Sequence, residues 1–196
     1  MAKADPDASK RERNKTIRWV ITIFFVTILI SGTISLISDE VMARSGLAVA
    51  FVILLAIVLI GIVFDVIGMA VATADEKPFH SMAARKVPGA QESIRLLRNA
   101  ERVSSICNDV VGDICGVVAG SASATVAAQL IRNFSFSWPA VISLVLSALV
   151  AGLTVGGKAI GKTFAVNSCT EIVYFVGKLI YTLRNIPTLF CKRKKK

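Results

Sequence analysis

The chain of 196 residues is 54% hydrophobic and only 18% charged, and its formal net charge is +10 at pH 7. Charged residues make up about 25% of ordinary soluble domains, so this balance excludes a typical soluble protein and predicts an all-α integral membrane protein. Because the basic residues flank apolar segments, the positive charge indicates membrane topology and attraction to anionic lipid, and nucleic-acid binding is not expected.

Four apolar segments reach the length of about 20 residues that a bilayer requires, namely 17–38, 47–74, 103–131 and 138–160. All but two of the 23 lysines and arginines lie before or at the start of the first segment, in the polar loop after the second, or from Lys158 onward. Basic residues accumulate in cytoplasmic loops. The sequence therefore predicts four transmembrane helices in the cell membrane, with both termini in the cytoplasm.

The N-terminal half of the chain predicts a tail, two membrane helices and a loop. Residues 1–16 lack an apolar period, which predicts a disordered basic tail, and 17–38 predicts an extra first helix followed by an outer turn at 39–46. In the second segment Asp65 is expected about 8 Å from the membrane centre, on the cytoplasmic side, at a rise of 1.5 Å per residue. The cytoplasmic loop 75–102 predicts two short juxtamembrane amphipathic helices, separated by Pro88 and Gly89.

Acids and glycines characterise the start of the third apolar segment. Asp109 and Asp113 follow Asn108, and an α-helix would turn their carboxylates to within about 40° of each other. Glycines recur at every fourth position, a pattern typical of a seam that lets another helix approach closely: Gly112, Gly116 and Gly120.

The last part of the chain predicts a fourth membrane helix with a basic end. This segment ends near Lys158, and residues 163–196 predict an interfacial helix and a polybasic tail. The apolar stripe of the interfacial helix covers about 16 residues, after which Pro187 is expected to end it.

Ionisable residues from three predicted spans fall in the same half of the membrane, where they are costly and mark a functional site. They are Asp65, Asn108, Asp109, Asp113 and Lys158. Three acids against one lysine leave a negative excess that a hard cation such as Mg²⁺ could fill, since it binds carboxylate and amide oxygens. The alternative is a self-satisfied network in which Lys158 bridges the acids.

Four short stretches within residues 47–185 form an ordered set: Phe64-Asp65-Val-Ile-Gly68-Met-Ala70, Ala90 to Arg102, Cys107-Asn108-Asp-Val-Val-Gly112-Asp113 and Gly157-Lys158-Ala-Ile-Gly161-Lys162. They resemble the transmembrane domain of the CorB/CorC (cyclin M) family of divalent-cation transporters. That family has a Phe-Ser-x-x-Glu-x-Ala-like motif, a basic juxtamembrane segment, a Gly-Asn-x-x-x-Asn motif and a Gly-Glu-x-x-Pro-Lys motif, in that order.

The resemblance implies a three-helix core over 47–162, a homodimer, and an inward-facing Mg²⁺ or Co²⁺ site formed by Asp65, Asn108, Asp109 and Asp113. Lys158 falls where the family has a glutamate, so the resemblance makes it a gate or a charge partner. The family's cytoplasmic CBS modules have no counterpart in the chain, which suggests a separate cytosolic regulatory partner.

Two functions follow as hypotheses. The first is divalent-cation transport through the inward-facing site. The second is a transport-inactive relative that acts as a membrane scaffold or regulator, with Lys158 in place of the cation. An enzyme is not expected, because the single histidine, His80, lies in the loop without a partner motif.

Overall fold

The computed structural model describes the backbone of residues 6–134 and 138–192, and the side chains of 17–134 and 138–185. The described residues are helical, with short connections and no strand. The helices are α1 (Pro6–Arg44), α2 (Leu47–Thr73), α3 (Lys77–Ala84), α4 (Ala90–Arg98), α5 (Ala100–Ser105), a π-helix (Ile106–Gly112), α6 (Asp113–Asn133), α7 (Pro139–Asn167) and α8 (Cys169–Lys192).

The prediction of four membrane-length helices is confirmed. By length and composition, four helical stretches could cross a membrane: Ile17–Arg44, Leu47–Thr73, Ala100–Asn133 and Pro139–Asn167. The third stretch joins α5, the π-helix and α6 into one continuous rod. The side of the membrane on which the termini lie stays a prediction.

Helix α2 is the central element of the bundle. It packs along α6 and α7, and its second half also contacts the π-helix, α5 and α8. Two apolar clusters form along it, one around Leu54 and Val58 and the other around Val71 and Phe79. The stretch of α2 from Gly61 to Gly68, which contains Asp65, lies between these two clusters.

Helix α1 lies at the edge of the bundle, and its last turns are attached to α6 by the buried Met42 side chain and by two hydrogen bonds. The Gln129 amide donates to the carbonyl of Met42 at 2.5 Å, and the Thr125 hydroxyl donates to Asp39 at 3.3 Å. No residue of the most apolar stretch of α1 is buried. This fits the predicted extra helix, whose surface is apolar enough to face lipid.

The short helices α3 and α4 pack with one side of the longer α8 at one end of the bundle, which we call the short-helix end. Ser93 of α4 donates hydrogen bonds to the carbonyls of Gly89 and Val173, both at 3.1 Å. At Gly177 of α8 an added Cβ would lie 2.8 Å from the Gly89 oxygen. The absence of a side chain at Gly177 therefore lets α8 pack directly on α4.

Several helix ends differ from the predictions. Helix α1 begins at Pro6, inside the predicted tail, and ends at Arg44, so that little of the predicted outer turn remains. Helix α8 continues to Lys192 through Pro187, where a stop was predicted. A proline removes one backbone hydrogen bond but has a helical φ, so the prediction of a stop there was wrong. Residues 1–5, 135–137 and 193–196, which include parts of the predicted tails, lie outside the described residues.

Candidate functional site

Asp65 is the buried acid of the bundle, with only 4% of its surface exposed. Its Oδ1 lies 3.8 Å from the Nζ of Lys158, and its Oδ2 lies 3.9 Å from the Nζ of Lys162. The two lysines are one helical turn apart on α7, so both reach the same carboxylate. The chain itself therefore supplies two positive charges beside its buried negative one.

Glycines on α7 explain how the lysines reach Asp65. Gly157 lies against Ile62, and an added Cβ at Gly161 would come within 2.7 Å of Val66 Cγ2. Residues without side chains allow two helix backbones to approach closely in a membrane. Each glycine directly precedes its lysine in the sequence, so the contact that joins α7 to α2 also aims both ammonium groups at α2.

The π-helix forms the other wall of the site. Its last carbonyl, that of Gly112, accepts a hydrogen bond from Lys158 Nζ at 3.4 Å. A Cβ added at Gly112 would lie 3.4 Å from that nitrogen and 3.5 Å from Asp65 Oδ1. Hydrogen bonds in a π-helix run from residue i to i+5, and such turns are frequent at functional sites. No feature of the sequence predicted it.

Two buried side-chain oxygens at this junction have no hydrogen-bond partner among the described residues. They are Asp65 Oδ2 and Asn108 Oδ1. The amide nitrogen of Asn108 donates to Ser104 Oγ at 3.3 Å, while its oxygen packs against Gly68 of α2. Buried acceptors without a donor are costly, so water or a cation would be stabilised beside them.

The other two predicted ligands are exposed on the surface of the rod that contains α6. Asp109 accepts a hydrogen bond from Ser105 at 2.8 Å, and the side chain of Asp113 has no ion pair or hydrogen bond within the described part of the chain. In that part, no group of three His, Cys, Asp or Glu residues is arranged to hold a metal ion. The structure thus places Asp65 and Asn108 at one junction and leaves Asp109 and Asp113 on an open face.

The predicted glycine seam is only partly used within the chain. Gly112 is buried at the site, but Gly116 and Gly120 have no neighbour within 4 Å of an added Cβ. The prediction assumed an α-helix throughout. Positions spaced by four drift by about 40° per step around a regular α-helix, and Gly116 and Gly120 do not share the close neighbours of Gly112.

The glycines that pack closely inside the bundle belong mainly to other helices. On α2, an added Cβ at Gly61 would lie 2.9 Å from Cys115 Cβ, and an added Cβ at Gly68 would lie 2.9 Å from Cys107 Cβ.

Lys162 was not predicted as a site residue, although its spacing of four from Lys158 is visible in the sequence. We call the polar groups at this junction the Asp65 cluster, which consists of Asp65, Asn108, Lys158, Lys162 and the Gly112 carbonyl.

Comparison of the chain with protein-family models, with curated proteins and with solved structures finds no match in any of the three.

Proposed function

We propose that the chain is a membrane scaffold or regulator in which the Asp65 cluster holds three helices together in place of a transported divalent cation. The observation that supports this proposal is the position of two ammonium groups within 4.0 Å of one buried carboxylate. The attraction between opposite charges is strong where water is scarce. A divalent cation entering the same place would meet the repulsion of both lysines.

The cluster has a structural role that a scaffold requires. Asp65 is on α2, both lysines are on α7, and the Gly112 carbonyl belongs to the π-helix that leads into α6. One network therefore joins the three core helices at a single level. Removing one member of a buried charge pair leaves an uncompensated charge, so the three helices are expected to depend on one another.

A second function, divalent-cation transport, is favoured by a different observation. Asp65 Oδ2 and Asn108 Oδ1 are buried acceptors without hydrogen bonds, and they are the oxygen types that Mg²⁺ binds. The side chain of Lys162 is 49% exposed, so it has room to turn away from Asp65. In this alternative Lys158 acts as a gate, and Asp109 and Asp113 attract Mg²⁺ or Co²⁺ to the cytoplasmic mouth.

A Mg²⁺ titration followed by thermal unfolding of the purified chain in detergent separates the two functions. A cation that binds only the folded state stabilises it by about 2.7 kcal/mol at one hundred times the dissociation constant. The scaffold proposal expects no saturable rise in the melting temperature. A saturable rise that Asp65→Asn abolishes would instead support transport.

Two controls make this experiment specific. Asp75→Asn removes an exposed carboxylate of the α2–α3 connection and should leave any Mg²⁺ response unchanged. A monovalent salt at matched ionic strength accounts for general screening. A rise that persists in Asp65→Asn would place the cation elsewhere and contradict transport through this site.

The proposal includes a homodimer in the cell membrane with both termini in the cytoplasm and a separate cytosolic partner. Support for a second copy comes from the exposed face of α6, where Gly116 and Gly120 are open and Asp113 is unpaired within the described residues. A carboxylate on a membrane helix rarely faces lipid. Reporter fusions at residues 42 and 134 test the topology, and a cytoplasmic signal from either would contradict it.

A further inference from the structure

The charges of the bundle core do not balance within one chain. Asp65 has two lysines beside it, and one of them, Lys162, is half-exposed, so the Asp65 cluster has one ammonium group more than it has carboxylates. Asp113 is the opposite case, because its exposed carboxylate has no ion pair within the described part of the chain. The neighbouring acid, Asp109, is already bonded to Ser105. One chain therefore presents a surplus base on α7 and a surplus acid at the start of α6.

The two surplus charges lie at the same level of the bundle. Lys162 Nζ is 3.9 Å from Asp65 Oδ2, and Asp65 Oδ1 is 3.5 Å from the position of a Cβ added at Gly112, the residue directly before Asp113. Two copies that cross the membrane in the same direction are related by a two-fold axis along the membrane normal, which preserves these levels. The base of one copy therefore lies at the height of the acid of the other.

Each surplus charge belongs to an exposed stripe that contains small residues. At about 100° per residue, four exposed positions of α6 fall within about 60° of one another: Asp113, Val117, Gly120 and Ala124. Four exposed positions of α7 do the same: Ala148, Val155, Ala159 and Lys162. We call these sets the α6 stripe and the α7 stripe. Small residues allow two helices to approach closely in a membrane.

The two stripes lie side by side on the bundle. Cys115 of α6 packs against Gly61 of α2, and Gly157 of α7 lies against Ile62 of α2. Each stripe is about 170° around its helix from that contact, so both stripes point away from α2. Because α6 and α7 also pack on each other, the stripes form one continuous face with the acid on one helix and the base on the other.

We propose that a second copy of the chain covers this face, with the α7 stripe of each copy on the α6 stripe of the other and the partner's Lys162 beside Asp113. This interface rests on the homodimer of the proposed function and specifies the surfaces that meet. It closes as a two-fold dimer, because each copy supplies one acid and one base. Lys162 joins Asp65 of its own chain to Asp113 of the other, which gives both intramembrane acids the partner that lipid cannot supply.

Cross-linking between two differently tagged full-length copies in vesicles tests the interface. The contact of Lys158 with Gly112 sets the relative level of the antiparallel helices α6 and α7, and equal steps along both bring Val117 to the level of residues 153–155. A disulfide requires two Cα atoms within about 7 Å. Val117→Cys in one copy and Val155→Cys in the other, with the four native cysteines replaced by alanine, should therefore form a mixed dimer on oxidation.

The two valines suit this test because they are 61% and 68% exposed and lie outside the Asp65 cluster. Leu153→Cys is the matched control, since Leu153 is 48% exposed but lies about 160° around α7 from Val155. Paired with Val117→Cys, it should form no mixed dimer. Equal cross-linking at 153 and 155, a disulfide between two Val117→Cys copies, or no mixed dimer in a chain that still unfolds cooperatively would each overturn the interface.

Energy transfer between copies fused to fluorescent proteins tests the charge pair with the native cysteines in place. Asp113→Asn should weaken association about tenfold, the scale of a polar contact between membrane helices. Asp109→Asn is the matched control and should associate as wild type does. Equal association of the two variants would overturn the Asp113–Lys162 pair. The Mg²⁺ titration assesses the scaffold function separately, so a failure of this interface and a failure of that function are distinguishable.

Discussion

Helices α2 and α6 contain the same combination of residues but use it differently. On α2, Asp65 lies between Gly61 and Gly68, and all three are buried against neighbouring helices. On α6, Asp113 precedes Gly116 and Gly120, and this acid and these glycines have open space around them. An acid with glycines at helical spacing therefore indicates a place for close helix contact, but it does not say which helix makes that contact.

The difference comes from what the neighbouring helix supplies. Opposite Asp65, α7 provides a glycine and a lysine twice in succession, so one helix brings both the close approach and the opposite charge. Nothing in the described part of the chain does this for Asp113. In a bilayer an acid on a small-residue face needs such a partner, and this is why we propose that a second copy covers the face.

The largest effect is expected when the α2 acid loses its partners. Lys158→Met combined with Lys162→Met leaves Asp65 buried without a positive charge. Breaking a buried pair in this way costs about 3–5 kcal/mol. We expect this loss in the free energy of unfolding, measured by chemical denaturation in detergent.

Adding Asp65→Leu to the double variant is the control, because an apolar replacement of a whole buried charge group is often neutral. We expect most of the lost stability to return. If the double lysine variant were as stable as wild type, the Asp65 cluster would not hold the three helices together.

A smaller effect is expected from adding a methyl group to a glycine of α2 that packs against a neighbouring helix. In Gly68→Ala the new methyl group would overlap Asn108 and lie 2.9 Å from Cys107 Cβ. Overpacking of this kind costs about 1–3 kcal/mol. Gly120→Ala is the matched substitution on the open face, where nothing lies within 4 Å. Thermal unfolding should distinguish the two variants, and equal melting temperatures would contradict the comparison.

The open face is expected to affect association instead of folding. Gly116→Ile combined with Gly120→Ile should weaken the dimer about tenfold, which corresponds to about 1.4 kcal/mol, because the large side chains separate the helices. Energy transfer between labelled copies in vesicles measures this. The matched control is Gly32→Ile on α1, which is equally open. Unchanged association in the double variant would reject this face as the interface.

The smallest effect is expected for Asp109→Asn. This side chain is exposed and its hydrogen bond to Ser105 is local, so the free energy of unfolding should change by no more than about 0.5 kcal/mol in detergent. Asp65→Asn, measured in parallel, should cost clearly more. Equal costs at the two positions would mean that burial does not separate the two acids.

The sequence was sufficient for features that depend on composition and length. Four apolar stretches predicted four membrane-length helices, and the excess of acids over Lys158 raised the alternative of a charge pair with Asp65. The rotation of α6 could not be predicted in the same way. The direction in which the α6 side chains point depends on the π-helix that precedes α6. The change from i+4 to i+5 hydrogen bonding has no residue signature comparable to a glycine or proline.

The attachment of α1 has a consequence for the order in which the protein is made. Its polar partners Thr125 and Gln129 lie 86 and 87 residues after Asp39 and Met42. At about 5–20 residues per second, a ribosome needs about 4–17 seconds to reach them. In the proposed membrane arrangement, α1 stays in the bilayer without α6 during that interval, and its exposed apolar surface suits it to contact with lipid until α6 is inserted.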